Sequence, residues 1–96
     1  MESKRTQAIS AIEIDNDRVF VTKWEFKPGA ETGWHRHEHD YVVVPLIDGE
    51  LLLETKEGDT KSTLQSGKPY SRNLGVEHNV VNINSFDFSF VEIELK

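Results

Sequence analysis

Residues 29–49 read GAETGWHRHEHDYVVVPLIDG and place three histidines within five residues, followed by a run of β-branched side chains. In an extended strand successive side chains alternate faces, so His35 and His37 project together and their imidazoles can reach one ion. Two nitrogens make a weak site, and a first-row metal needs at least one more protein ligand. The remaining histidine outside this stretch is His78, in GVEHNVVN, far away in sequence. A β-barrel is the kind of fold that brings two such strands onto one interior.

The rest of the chain reads as the strands such a barrel needs. Ala8 to Ile14 is an opening strand with Ile12 and Ile14 on one face, and Asp15-Asn16-Asp17 is its turn. RVFVTKWEF follows, apolar on both faces, as suits a strand with a core on one side and a partner on the other. Lys27-Pro28-Gly29 ends it. Pro45 interrupts YVVVPLI and argues for an edge or bulge, and Asp48-Gly49 is a hairpin signal turning the chain into ELLLETK. KSTLQ, PYSRN, VEHNVVNI and FDFSFVEIEL complete a series of strands spaced eight to twelve residues apart. The chain reads as all-β, with residues 1–7 as a flexible N-terminus and 8–96 as one barrel domain.

Ninety-six residues suffice for one core but not for a separate cofactor-binding domain. With 17 acidic against 11 basic residues the net charge is −6, which disfavours nucleic acid and anionic membrane surfaces as partners. Cysteine is absent, so any metal is held by nitrogen and oxygen. MESKRTQAIS lacks the apolar core of a signal peptide and no apolar run is long enough to span a bilayer, so the expected compartment is the cytoplasm. The small core and the two-faced strands lead us to expect a homodimer.

The spacing also resembles that of the cupins. Their first motif has glycine, five residues, His-x-His, three or four residues, glutamate, six residues and glycine; Gly29, His35, His37 and Gly49 fall in register. Their second has glycine, five residues, Pro-x-Gly, two residues, histidine, three residues and asparagine; Gly67, Gly75, His78 and Asn82 match, with Asn73 in place of the proline. TGWHRHEHDYVVVPL, GVEHNVVN and the ending FVEIELK are similar to the small single-domain cupins of the β-alanine degradation (BauB-like) group, over roughly Arg18 to Lys96. The resemblance implies an RmlC-like jelly-roll β-barrel and a metal site of His35, His37 and His78 holding a divalent first-row ion: Fe, Mn, Ni, Zn or Co. It departs from the pattern at the glutamate, whose two permitted places fall on Tyr41 and Val42. What remains resembles the three-histidine sites of thiol dioxygenases. Without an anionic ligand the site should carry excess positive charge and favour a small carboxylate-bearing substrate.

Several residues carry two readings. Tyr41 is either a core aromatic or a pocket residue acting as proton donor or base. Arg72, two residues from Tyr70, either clamps a substrate carboxylate or sits on the surface beside an acidic neighbour. His39 reads as a rim histidine, and Trp24 and Trp34 as core or interface residues. The functional expectation is a metal-dependent enzyme of dioxygenase, isomerase or lyase type acting on a small molecule, with a non-catalytic binding or sensing module as the alternative.

Overall fold

The structure, a computed structural model, describes residues 5–96. These form nine strands: β1 (Ile9–Asp15), β2 (Val19–Phe26), β3 (His35–Arg36), β4 (Asp40–Pro45), β5 (Gly49–Thr55), β6 (Gly58–Leu64), β7 (Tyr70–Arg72), β8 (Glu77–Asn82) and β9 (Phe88–Leu95). They build two antiparallel sheets, one of five strands in the order β1-β2-β9-β4-β7 and one of four in the order β3-β8-β5-β6. Paired residues in an antiparallel ladder point to the same face, so the registers define rows of side chains. On the inner face of the larger sheet one row runs Thr22, Glu92, Val43, Tyr70 and the next Phe20, Glu94, Tyr41, Arg72. Between the sheets lies a core of Phe26, Ala30, Tyr41, Val43, Leu51, Leu64, Val80, Phe88 and Phe90.

Two motif residues meet in one turn. Gly29 takes a φ of 80°, where a side chain would be strained, and its N–H donates to the Asn82 carbonyl at 2.8 Å. Asn82 is fully buried, and its Nδ2 donates to the carbonyls of Phe26, Lys27 and Phe86 at 3.0–3.2 Å while its Oδ1 accepts from the Asn84 backbone at 2.9 Å. The asparagine therefore ties the end of β2 to the turn before β9 through their carbonyls.

Several expectations change. Asp48-Gly49 does not close a hairpin, because β4 and β5 lie in different sheets; β5 pairs with β6 and β8 instead. A turn dipeptide reverses the chain but does not choose its ladder partner, and here the turn carries the chain across the barrel so that Leu51 can reach the core. Gly49 is required by close packing: a Cβ there would meet the Phe88 ring at 2.9 Å. Pro45 is the last residue of β4, beyond Val43 where pairing with β7 stops, so β4 is paired there by β9 alone and the proline sits at a local edge, as expected. In β1 a register shift between Ile12 and Ile14 sets them opposite Thr22 and Val21, on opposite faces rather than one. Of the N-terminal stretch, Arg5 pairs with Glu31 and Glu54, and Gln7 bridges to Glu31; residues 1–4 lie outside the described residues.

Candidate metal centre

The pairing of β3 with β8 sets His35 directly opposite His78. His37, just past β3, is held by its own backbone: its N–H donates to the Val76 carbonyl at 2.8 Å and its carbonyl accepts from Gly75 at 2.7 Å. Gly75 makes that approach with φ 92°. The three rings meet edge to face, with His35 Nε2 to His37 Nε2 at 3.0 Å and His37 Nε2 to His78 Nε2 at 3.2 Å. His37 and His78 are buried and His35 is half-buried.

The protonation pattern follows from the surroundings. His35 Nδ1 lies 2.9 Å from the Gly33 carbonyl, which can only accept, so the proton is on Nδ1 and the Nε2 lone pair is free. Burial, with the neighbouring His35 and then His78, pushes the pKa of His37 down to about 3. Burial, then His35 and the Arg72 charge, brings His78 down to about 4. His37 and His78 are therefore neutral at neutral pH, and their nitrogen lone pairs face the same point as His35 Nε2. The donor spacings match the roughly 3.0–3.4 Å expected between nitrogens about 2.1 Å from a shared ion. On geometry and chemistry the set fits a divalent first-row metal.

Tyr41 stands at the inward-facing of the two glutamate places; its ring is buried and stacks on His37 with centroids 3.8 Å apart and planes 16° apart. Burial, reinforced by Glu92, raises the phenol's pKa above its ordinary value, so of its two proton roles the donor is the one its surroundings support. Arg72 follows Tyr41 on the same row but is exposed, its guanidinium 4.8 Å from the Tyr70 ring centroid and donating to the Ser71 carbonyl at 3.2 Å. With Tyr41, Tyr70, His78 and Glu92 it lines an interior void of about 20 Å³, room for about one water. The larger cleft beside the histidines, about 610 Å³, is lined by His35, His37, Phe20, Trp24, Glu92 and Glu94 among others, and Arg72 is not on it. His39, half-buried, lies on this cleft. Trp24 is half-buried beside Phe26, whereas Trp34 is 56% exposed.

The expectation of a site without a nearby carboxylate is corrected by β9. Glu92 is buried, and His37, Glu92 and Glu94 bring ligand atoms within 4.8 Å of one another. Burial, followed by a hydrogen bond to and repulsion from Glu94, pushes the pKa of Glu92 up to about 8. The signal for these residues was the parity of β9, in which Glu92 and Glu94 continue the face of the core residues Phe88 and Phe90. The cations on the same cleft are already paired, Lys96 with Asp15 at 2.7 Å and Arg36 with Glu38 at 3.9 Å.

The sequence and the fold recur in known proteins. The chain is 57% identical over 94 residues to the β-alanine degradation protein BauB of Pseudomonas aeruginosa, covering 98% of this chain and 99% of the relative. It belongs to the BauB-like small cupins. The crystal structure of a cupin domain from Bordetella pertussis Tohama I superposes on this cupin with a TM-score of 0.96 at 58% identity, covering 99% of each chain. A cupin superfamily protein from Desulfitobacterium hafniense, 20% identical with a TM-score of 0.73 over 99% of this chain and 83% of that one, shares the cupin fold. No family model matches the chain.

Proposed function

We propose that this cupin is a small cytoplasmic metalloenzyme whose His35, His37 and His78 hold a divalent first-row ion, Fe, Mn, Ni, Zn or Co. The observation that carries the reading is the convergence of three imidazole nitrogens, 3.0 and 3.2 Å apart, beside a cleft of about 610 Å³. Three protein ligands leave positions open to a small molecule, and an ion so held supplies the Lewis acidity used in dioxygenase, isomerase and lyase chemistry.

The protein's own residues divide the remaining tasks. Tyr41 braces the His37 ring and offers a phenolic proton, while the Arg72 charge helps keep His78 neutral. Phe20 and Trp24 provide apolar wall to the cleft. The relative's name speaks of β-alanine degradation, and we take the substrate class to be a small carboxylate-bearing metabolite of that kind. An amino acid carrying both charges suits the cleft, its carboxylate at the ion and its ammonium beside Glu92 and Glu94.

The test is metal analysis of untagged protein, followed by a screen of β-alanine and its downstream acids for turnover by the metal-loaded form. One bound ion per chain with product from a member of this set is the expected result. Stoichiometric metal with tight binding but no turnover of any candidate would make the protein a non-catalytic binding module, and no metal at micromolar concentration would remove the reading altogether.

A further inference from the structure

Asn79 follows His78 on β8 and therefore projects from the opposite face of the four-stranded sheet, yet it is only 2% exposed. The segment before β1 covers it: Glu31 N–H donates to the Thr6 carbonyl at 2.9 Å, Ala8 N–H donates to the Glu31 carbonyl at 2.8 Å, and Arg5 pairs with both Glu31 and Glu54. Beneath this strap Asn79 Nδ2 donates to Glu31 Oε1 at 2.9 Å and to Glu54 Oε1 at 2.7 Å. Two carboxylates on the nitrogen end fix which way the amide points, because a flipped amide would face them with its own oxygen. Its Oδ1 is thereby aimed at the Gly33 N–H, which donates to it at 2.9 Å.

Gly33 is the link to the histidines. Its φ of 90° lets the residue turn its N–H outward to Asn79 while its carbonyl accepts from His35 Nδ1 at 2.9 Å and from Thr32 Oγ1 at 2.9 Å. A carbonyl held in place selects the Nδ1–H tautomer of His35 and leaves Nε2 as the lone pair facing His37. We infer that Asn79 is a positioning residue for His35, acting through the Gly33 backbone and itself oriented by the Glu31–Glu54–Arg5 cluster on the far side of the sheet. The consequence for metal affinity rests on the metal-centre reading; the consequence for the His35 tautomer does not.

The experiment therefore reads both. Long-range proton–nitrogen NMR of the metal-free protein at pH 7.5 reports the His35 tautomer, and competition titration with zinc reports affinity. Asn79→Ala should shift His35 from the Nδ1–H form to a tautomer mixture and weaken zinc binding by about tenfold or more. Gly33→Ala attacks the same link without touching the carboxylates; a Cβ there has open space, nearest Gln7 Oε1 at 3.9 Å, so its effect comes from the backbone, and it should give the same tautomer shift. It decides the matter if Asn79→Ala does not fold. Glu54→Gln keeps an oxygen acceptor for Asn79 and should leave the tautomer unchanged and the affinity within about threefold, even if it lowers stability. An unaltered His35 tautomer in the folded Asn79→Ala and Gly33→Ala proteins, whatever their stability, overturns the inference. A shifted tautomer in a protein that binds no zinc upholds it while removing the metal reading.

Discussion

Tyr41 lies flat on His37, the ring centroids 3.8 Å apart and the planes 16° from parallel, on the strand where the cupin pattern places a carboxylate. The contact separates two roles that substitution can resolve. Tyr41→Phe keeps the stack and removes the phenol, so bound metal should be retained while kcat falls more than KM rises. Tyr41→Ala removes a buried ring and should cost on the order of 3–5 kcal/mol, measured by chemical denaturation.

His78→Ala should abolish stoichiometric metal, since it removes one of the three converging nitrogens. In the wild type, zinc at about 100 times its dissociation constant should stabilise the fold by about 2.7 kcal/mol. Denaturation with and without zinc checks both, and a His78→Ala protein stabilised as much as wild type would refute the ligand assignment.

Stability of the metal-free protein should pass through a maximum with pH. His37 and His78 have folded pKa values pushed down to about 3 and 4, below the ordinary histidine value, so the unfolded chain binds their protons first. Their contribution is present above about pH 6.5 and is lost as pH falls towards those folded values. Glu92 acts in the opposite sense: its pKa is raised to about 8, so its contribution is present below about pH 4.5 and is lost as pH rises to 8. Between about pH 4.5 and 6.5 two protons oppose one, and stability should climb by on the order of 1 kcal/mol per pH unit. Above that it should decline to pH 8, and Glu92→Gln should flatten this decline. Urea denaturation across the range tests the pattern.

The outer face of the larger sheet carries a row of Ile14, Val21, Ile93 and Val42 across β1, β2, β9 and β4, flanked by Val44 and Val91. We propose that a second copy of the chain covers this face in a homodimer, as expected from the two-faced apolar strands. Light scattering should give twice the chain mass, and Val42→Asp should give the monomer; a wild-type monomer at all concentrations would end the proposal.

Asn82 predicts a stability cost without a change of site chemistry. Asn82→Ala leaves one buried and two part-buried carbonyls without their donor and should destabilise by on the order of 2 kcal/mol. Zinc affinity of the folded variant should change less than its stability, because none of those carbonyls touches a histidine ring.

Strand order along the chain, the pairing of His35 with His37 and the distant contribution of His78 were all readable in the sequence, because alternation and turn residues are local properties of the chain. The ladder partners were not. Asp48-Gly49 looks the same whether it closes a hairpin or carries the chain between sheets, and only the demand that Leu51, Phe88 and Phe90 share one core decides. One extra residue in β1 was enough to part Ile12 from Ile14, since a single bulge inverts a period of two. The carboxylates beside His37 come from β9, 55 and 57 positions further on, and no spacing rule near the histidines reaches that far. Asn79 shows the same division: its neighbour His78 is recognisable by motif, but its own role depends on Glu31, Glu54 and Gly33 meeting it through folding. Side-chain parity along each strand belongs to the sequence; which strands lie side by side, and so which charges face one another in the low-dielectric interior, belongs to the packing of the two sheets.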